Sequence, residues 1–362
     1  MSAMSTGPTH GTRGGAMLRP LSIGWLAAGA LMLSGGFHAC LAQTTTPSSR
    51  SAREGGALAP VTINVCGKPQ TYTSIPQRAV THDVNITEMF LFLGLADKLV
   101  GYSGISSSKE IAPEWRSTLQ KLPNLSSQAM NMETIVGARA DFVFAGWSYG
   151  FRQGAITPDL LSRYGIDSYV LTESCIRIAP RDKVELEDSL LDLRNIARIF
   201  RIADTVEPRI QTLERGIHDL SQKMKGVTTR PTVFVYDSGQ AIPVTVGRFG
   251  MPRAMIDAAG GKNIFDDIES NWPRGNWEDV IERDPEWIVV VDYGVPSAQG
   301  KIDFLKQKPE LAGVKAIRKQ QFFVITYAQA TPSPSNVPMA TELAKKLHPE
   351  AFKAGTPPPA RP

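Results

Sequence analysis

One short pattern occurs twice in this chain, and the distance between the copies restricts the fold more than any other feature. Asn131-Met132-Glu133-Thr134-Ile135-Val136 leads into Ala140-Asp141-Phe142-Val143-Phe144. Asn276-Trp277-Glu278-Asp279-Val280-Ile281 leads into Pro285-Glu286-Trp287-Ile288-Val289-Val290. Each copy reads as a cap residue, an acid in the first helical turn, a short helix, a tight turn and a buried strand. Glu133 and Glu278 lie 145 positions apart, too far for a solenoid repeat and about right for two similar α/β lobes. Two lobes of one design imply a cleft between them and a matching acid on each lobe.

The ends of the chain differ in composition from its body. Residues 1–42 contain no Asp, Glu or Lys, and Arg13 and Arg19 are their only charges. An apolar run from Leu21 to Phe37 follows, closed by the small residues of Ala39-Cys40-Leu41-Ala42. This reads as a secretory signal peptide, too short for a membrane span, with Met17 available as a later start. Cleavage after Ala42 is expected. The alternative, lipidation at Cys40, meets a poor lipobox in Phe37-His38-Ala39. Residues 43–59 read as a flexible linker and 354–362 as a Pro-rich disordered tail. Removing the two arginines lowers the formal charge from +4 to +2, which gives no argument for nucleic acid. Cys66 and Cys175 remain after cleavage. In an oxidising compartment such a pair is expected to form a disulfide, with two separate thiols as the alternative.

Between these ends the hydrophobic pattern alternates between strand and helix. Val61–Val65 reads as a strand with Gly67-Lys68-Pro69 as a turn, followed by short strands at 79–81 and 99–102, a helix over 85–95 and a strand at 169–171. Leu186, Leu190, Leu193, Ile196, Ala197 and Phe200 follow helical spacing. Pro208 is read as the start of a second long helix with Ile210, Leu213, Ile217 and Leu220 as its apolar stripe. The fold expected is α/β: two similar lobes with mainly parallel sheets, 60–203 and 229–353, joined by one long rigid helix over 204–228.

Several segments, taken in order, resemble the iron-siderophore and vitamin B12 family of periplasmic binding proteins that serve ABC importers. They are Asn85-Ile86-Thr87-Glu88 before Leu93-Gly94-Leu95, Asn131-Met132-Glu133, Leu193 to Phe200, Ala258-Ala259-Gly260-Gly261-Lys262-Asn263-Ile264-Phe265, and Trp277-Glu278 to Asp284-Pro285. The resemblance covers roughly residues 78–350. It implies two lobes on a stiff helical bridge with modest closure, and one acid on each lobe that meets arginines of a permease dimer. By position those acids are Glu133 and Glu278. For a single copy, favourable interaction of a first-turn acid with the helix dipole, about 0.3–1 kcal/mol, would be explanation enough. Two copies at matching places would instead fix register on a two-fold partner through bidentate arginine contacts.

Other groups are read as cleft lining, each against a plainer alternative. Gly146-Trp147-Ser148-Tyr149-Gly150 fits the G-x-S-x-G elbow of serine hydrolases, but Phe151-Arg152-Gln153-Gly154 is a poor helix start and no suitably placed His follows. The better reading is a ligand-facing loop at the carboxyl end of a parallel strand, with Trp147, Tyr149 and Arg152 offering aromatic faces and a cation. Core packing is the alternative for Trp147. Thr81-His82-Asp83 is expected to reach the same cleft. From the second lobe come Tyr236, Arg248, Trp272 and Arg274, the arginines suited to an anionic chelate and otherwise ordinary solvated surface. Tyr236 is alternatively the end of a buried strand. His82, His218 and His348 are scattered, so no protein metal site is expected. No phosphate-binding G-x-x-x-x-G-K-S/T occurs.

The expectation is therefore a periplasmic, monomeric solute-binding protein rather than an enzyme. It has no catalytic residues and no cofactor of its own. It takes up chelated iron or a corrinoid between its lobes and delivers it to an ABC permease dimer. The competing readings are a secreted esterase using Ser148 and a sensor or scaffold lipoprotein with a vestigial cleft.

Overall fold

The computed structural model describes residues 59–353. Residues 1–42, read as a signal peptide, with Cys40, nearly all of the stretch 43–59 read as a linker, and residues 354–362 lie outside the described residues. Within them the chain is α/β, built as two lobes that each carry a parallel sheet.

The first lobe opens with an antiparallel hairpin, β1 (Val61–Val65) and β2 (Lys68–Tyr72). Its turn is Cys66-Gly67, both left-handed (φ 50° and 80°), as a type I′ hairpin turn requires. The turn read at Gly67-Lys68-Pro69 thus sits earlier, because Lys68 and Pro69 already pair with β1. The main sheet follows: β3 (Ala79–His82), β4 (Leu99–Ser103), β5 (Asn124–Ser126), β6 (Phe142–Trp147), β7 (Gly150–Phe151) and β8 (Asp167–Val170). Its order is β5-β4-β3-β6, with β8 beside β6 and β7 pairing the last residues of β6, and every pair is parallel. All six residues of β6 are buried, as expected for a sheet covered on both faces. A disulfide joins Cys66 to Cys175 and ties the hairpin to the segment after β8.

The second lobe repeats the plan with fewer parts. β9 (Thr232–Tyr236), β10 (Lys262–Asn263), β11 (Trp287–Asp292) and β12 (Phe322–Thr326) form a parallel sheet in the order β10-β9-β11-β12. This superposes in connectivity on β4-β3-β6-β8. The twin sequence segments occupy equivalent places. Asn131 caps the helix Met132–Gly137 through its side-chain oxygen, which accepts from Thr134 N at 2.8 Å; Asn276 caps Trp277–Arg283 in the same way from Asp279 N at 2.6 Å. The cap dihedrals agree closely, φ/ψ −137°/154° and −139°/159°. Past each helix, Arg139 and Asp284 both turn left-handed (φ 52° and 41°). Next, Asp141 receives the backbone N–H groups of Gln77 and Arg78 just before β3, while Glu286 receives Thr232 N at the start of β9. One acid thus clamps two neighbouring strands at the same point in each lobe.

A 22-residue helix, Ala203–Met224, connects the lobes. Its apolar stripe is divided between their cores. Val206, Ile210 and Leu213 pack with the first lobe, Leu220 and Met224 with the second, and Ile217 with both. Pro208 lies inside this helix rather than at its start. The helix begins five residues earlier because the chain reverses tightly at Arg201 (φ 59°) and Ile202. Pro208 is the sixth residue of this helix, beyond the N–H groups that lack an intrahelical partner, so it leaves the Asp204 carbonyl without its helical bond. The division between lobes is not clean in sequence. Val184 and Leu186 pack into the second lobe's core, and Ala328 and Val337 into the first.

Candidate ligand cleft

The carboxyl ends of the two sheets face each other. Gly294, just past β11, donates its N–H to the Ser108 carbonyl of the first lobe at 3.1 Å. Asp83, just past β3, accepts from the Tyr327 hydroxyl just past β12 at 2.7 Å. Tyr149, past β6, accepts from Trp272 Nε1 at 3.0 Å. Ligands in open parallel sheets bind at this end of the strands.

On the first lobe, His82 is slotted between two glycines. A Cβ at Gly104 would lie 2.6 Å from the imidazole Cε1, and one at Gly150 would lie 2.8 Å from its Cγ. Both glycines also have positive φ, so close approach and backbone shape each demand glycine there. His82 Nδ1 shares a 2.9 Å hydrogen bond with Ser103 Oγ. Burial pushes its pKa down to about 4, although Asp83 beside it pulls the other way. The imidazole is therefore neutral at ordinary pH. Asp83 is 2% exposed and left-handed at φ 77°. Its carboxylate accepts from Val84 N at 2.8 Å, from Lys109 Nζ at 2.9 Å and from the Tyr327 hydroxyl, so this buried charge is fully paired.

On the second lobe the arrangement is aromatic. Lys109 Nζ stands 4.1 Å above the Tyr327 ring, and Tyr327 meets Tyr293 edge to face at 5.1 Å. The Tyr293 hydroxyl donates to Asp237 at 2.7 Å, as does Ser238 Oγ. Lys301, 2% exposed, supports Tyr293 from beneath, 4.4 Å from its ring, and donates to the carbonyls of Val291 and Tyr293. A third cross-lobe contact lies near the bridge. Glu173 is wholly buried and accepts from Met251 N at 3.2 Å. Its second oxygen has no hydrogen-bond partner, the Tyr149 hydroxyl lies beside it, and burial raises the pKa to about 7. Arg177 completes this contact by donating to Asn271 Oδ1 at 2.7 Å. The arrangement can bind and orient: most of its polar groups are satisfied by one another, whereas the second Glu173 oxygen and Asn271 Nδ2 are buried without a hydrogen-bond partner.

The residues expected to line the cleft divide into three groups. His82, Tyr149 and Trp272 stand at the junction of the lobes. Trp147 and Tyr236 do not. The left-handed residue Ser148 (φ 68°) turns the chain between Trp147 and Tyr149. Trp147 stays on the hairpin side, where it lines a cavity of about 440 Å³ with Lys68, Gln70, Gln153 and Asp159; none of the cleft groups above lines it. Tyr236 is 1% exposed and packs on Phe234, Trp277 and Phe304. The two-residue period of β9 decides this, since Phe234 and Tyr236 share one face while Val233 and Val235 take the other. Arg152 and Arg274 are exposed. Arg248 is committed to the Asp266 carbonyl at 3.0 Å and the Glu269 carboxylate at 3.2 Å.

Ser148 is exposed but is not a nucleophile elbow. Gly146 and Tyr149 close a tight turn with two 2.9 Å backbone bonds, and the chain continues into β7 instead of a helix, so no helix N-terminus is available as an oxyanion site. Among the described residues no group of three His, Cys, Asp or Glu side chains is arranged to hold a metal ion, and no helix is long and apolar enough to cross a membrane. Sequence reading missed Lys109, Glu173, Tyr293 and Tyr327. Their signal was position: the two tyrosines directly follow the ends of β11 and β12.

Glu133 and Glu278 are both exposed, and among the described residues neither carboxylate has an ion pair or hydrogen bond. Each sits in the first turn of its helix, Met132–Gly137 or Trp277–Arg283, two residues after the capping Asn.

A family model described as periplasmic binding protein matches residues 80–328. A vitamin B12-binding protein of Pectobacterium atrosepticum is 25% identical over 221 residues, 60% of this chain and 72% of the relative. A periplasmic binding protein from Veillonella parvula has a similar structure, with a TM-score of 0.69 and 25% identity over 80% of this chain and 98% of its own. An ABC-type Fe3+-hydroxamate transport system structure from Saccharomonospora viridis aligns at a TM-score of 0.67 with 20% identity, over 80% of this chain and 99% of its own.

Proposed function

The chain belongs to the periplasmic binding protein family, and from that premise we propose that it is the monomeric solute receptor of an ABC importer, taking a metal chelate or corrinoid. The observation that carries this reading is the pair of matched parallel sheets whose carboxyl ends meet across Asp83, Lys109, Tyr149, Trp272, Tyr293 and Tyr327. Aromatic faces supply most of the contact with a broad, partly apolar ligand, and the few charged groups orient it. The phenols and Lys109 suit a ligand with peripheral carboxylates or amides. The neutral His82 imidazole can face a chelated metal without charge repulsion. In this reading the metal arrives as cargo inside its chelate, consistent with relatives named for vitamin B12 and Fe3+-hydroxamate.

The loaded receptor then docks through Glu133 and Glu278 on the two halves of the permease, with arginine as the complementary group. Thermal-shift measurements with a ferric hydroxamate, haemin and cyanocobalamin test ligand class. One of them raises the midpoint by several degrees at saturating concentration, because it binds only the folded state. Free ferric or cobalt salts do not. No shift with any chelate, together with measurable ester turnover lost in Ser148→Ala, would replace this reading with an esterase.

A further inference from the structure

Two large apolar side chains stand exposed beside the twin acids. Val136 is 46% exposed and Ile281 is 40% exposed. They occupy the same register of the repeat, each three residues after its acid. On a helix this spacing places acid and aliphatic side by side on one outward face. The residue just before each aliphatic, Ile135 or Val280, is 1% exposed and anchors the helix to its lobe. The inward position therefore explains the helix, and nothing in either lobe explains the outward one. Both lobes leave this outward aliphatic exposed at equivalent places of the repeat.

We infer that each docking point is a two-part knob, an unpaired carboxylate with an aliphatic side chain beside it, and that the partner offers on each of two related halves a cation next to an apolar surface. This deepens the importer reading and rests on it: the occupant is the membrane permease dimer. Charge complementarity supplies attraction and register, and the aliphatic contact excludes water from the ion pair, strengthening it as local dielectric falls. The knobs differ in their surroundings. Beside Glu278 stand Asp279 and the exposed Glu282, with Arg283 drawn away to Asp267 and Asp279. Within the helix Met132–Gly137, Glu133 is the one charged residue. The second-lobe knob thus carries the stronger negative field and the greater salt sensitivity.

The test measures binding of the purified receptor to its permease complex in lipid nanodiscs. Val136→Ser with Ile281→Ser weakens binding about tenfold or more while the thermal midpoint and chelate binding stay unchanged. The conservative pair Val136→Ile with Ile281→Val binds like wild type. Glu133→Ala with Glu278→Ala loses more affinity and flattens the salt dependence. If the serine pair binds normally while the alanine pair fails, the apolar half of the knob is refuted and the importer reading stands. If neither pair changes binding, docking at these helices is refuted altogether.

Discussion

The two lobes share a frame but not an edge. Their agreement is closest in the repeated segments, where Asn131 and Asn276 cap equivalent helices and Asp141 and Glu286 clamp equivalent strands. At the carboxyl ends they part. The first lobe presents His82 and the buried Asp83–Lys109 pair. The second presents Tyr293 and Tyr327 backed by Lys301. The difference teaches where constraint acts. A cap or clamp serves the lobe that carries it, so both copies keep it. A cleft group such as His82 or Tyr327 stands on one lobe and has no counterpart on the other.

The largest asymmetry to break is covalent. Only the first lobe is cross-linked among the described residues, and its bond closes a span of 109 residues. Loop-closure entropy for such a span is worth about 4–5 kcal/mol. Cys66→Ser with Cys175→Ser is expected to lower the urea midpoint by a matching amount. Hydrogen exchange should show the added opening in the hairpin and the region around Cys175, with the second lobe protected as before. Equal loosening of both lobes would mean that the helical bridge couples them into one unfolding unit.

Next comes the buried charge at the junction of the lobes. Lys109→Met leaves Asp83 buried with one cation fewer and costs about 3 kcal/mol. Tyr327→Phe costs less, about 1 kcal/mol, since a neutral donor is lost. Urea denaturation of the two variants measures both costs, and equal losses would show that the lysine adds nothing beyond the tyrosine's hydrogen bond to Asp83.

A titration separates the lobes further. Glu88, Glu173 and Asp192, all buried in the first lobe or at its junction, are raised to about 7 by burial. In the second lobe Asp267 is held below its ordinary value by Arg283 beside it. The folded state keeps protons on the three raised acids that the unfolded chain releases from about pH 4 upward. Stability therefore falls as pH rises toward 7 and levels off above it. His82, pushed down to about 4, acts oppositely between pH 6.5 and 4, one group against three. The thermal midpoint is expected to be higher near pH 5 than at pH 8 by several degrees, and Glu173→Gln should remove about a third of that slope.

The smallest effect is the sharpest test of equivalence. Asn131→Ala and Asn276→Ala should each cost about 1 kcal/mol in urea denaturation, and the two values should agree within a few tenths. A clear inequality would show that the repeat is one of shape but not of energy.

How much was legible in the sequence follows the same division. The twin segments, the parallel strands and the long helix declare themselves through local periodicity, because caps, turns and alternation are fixed by neighbours in the chain. The cleft does not. Asp83 meets Tyr327 across 244 positions, and no local pattern marks such a meeting. Tyr236 was read as lining and lies in the core because strand parity, not proximity to the strand end, sets which way a side chain points. Trp147 was likewise one residue from the turn that would have sent it to the cleft. Arg248 could not be separated from ordinary surface until Glu269, its partner, was in view.

The helix Ala203–Met224 seats Ile217 in both cores at once. A spine lodged in two places cannot hinge at either without prising out its own side chains, so on the importer reading the empty and filled receptor are expected to present nearly the same outline. A transporter meeting it learns little from silhouette, and must sense occupancy through the chemistry exposed at the mouth or through how readily the two halves yield when pulled.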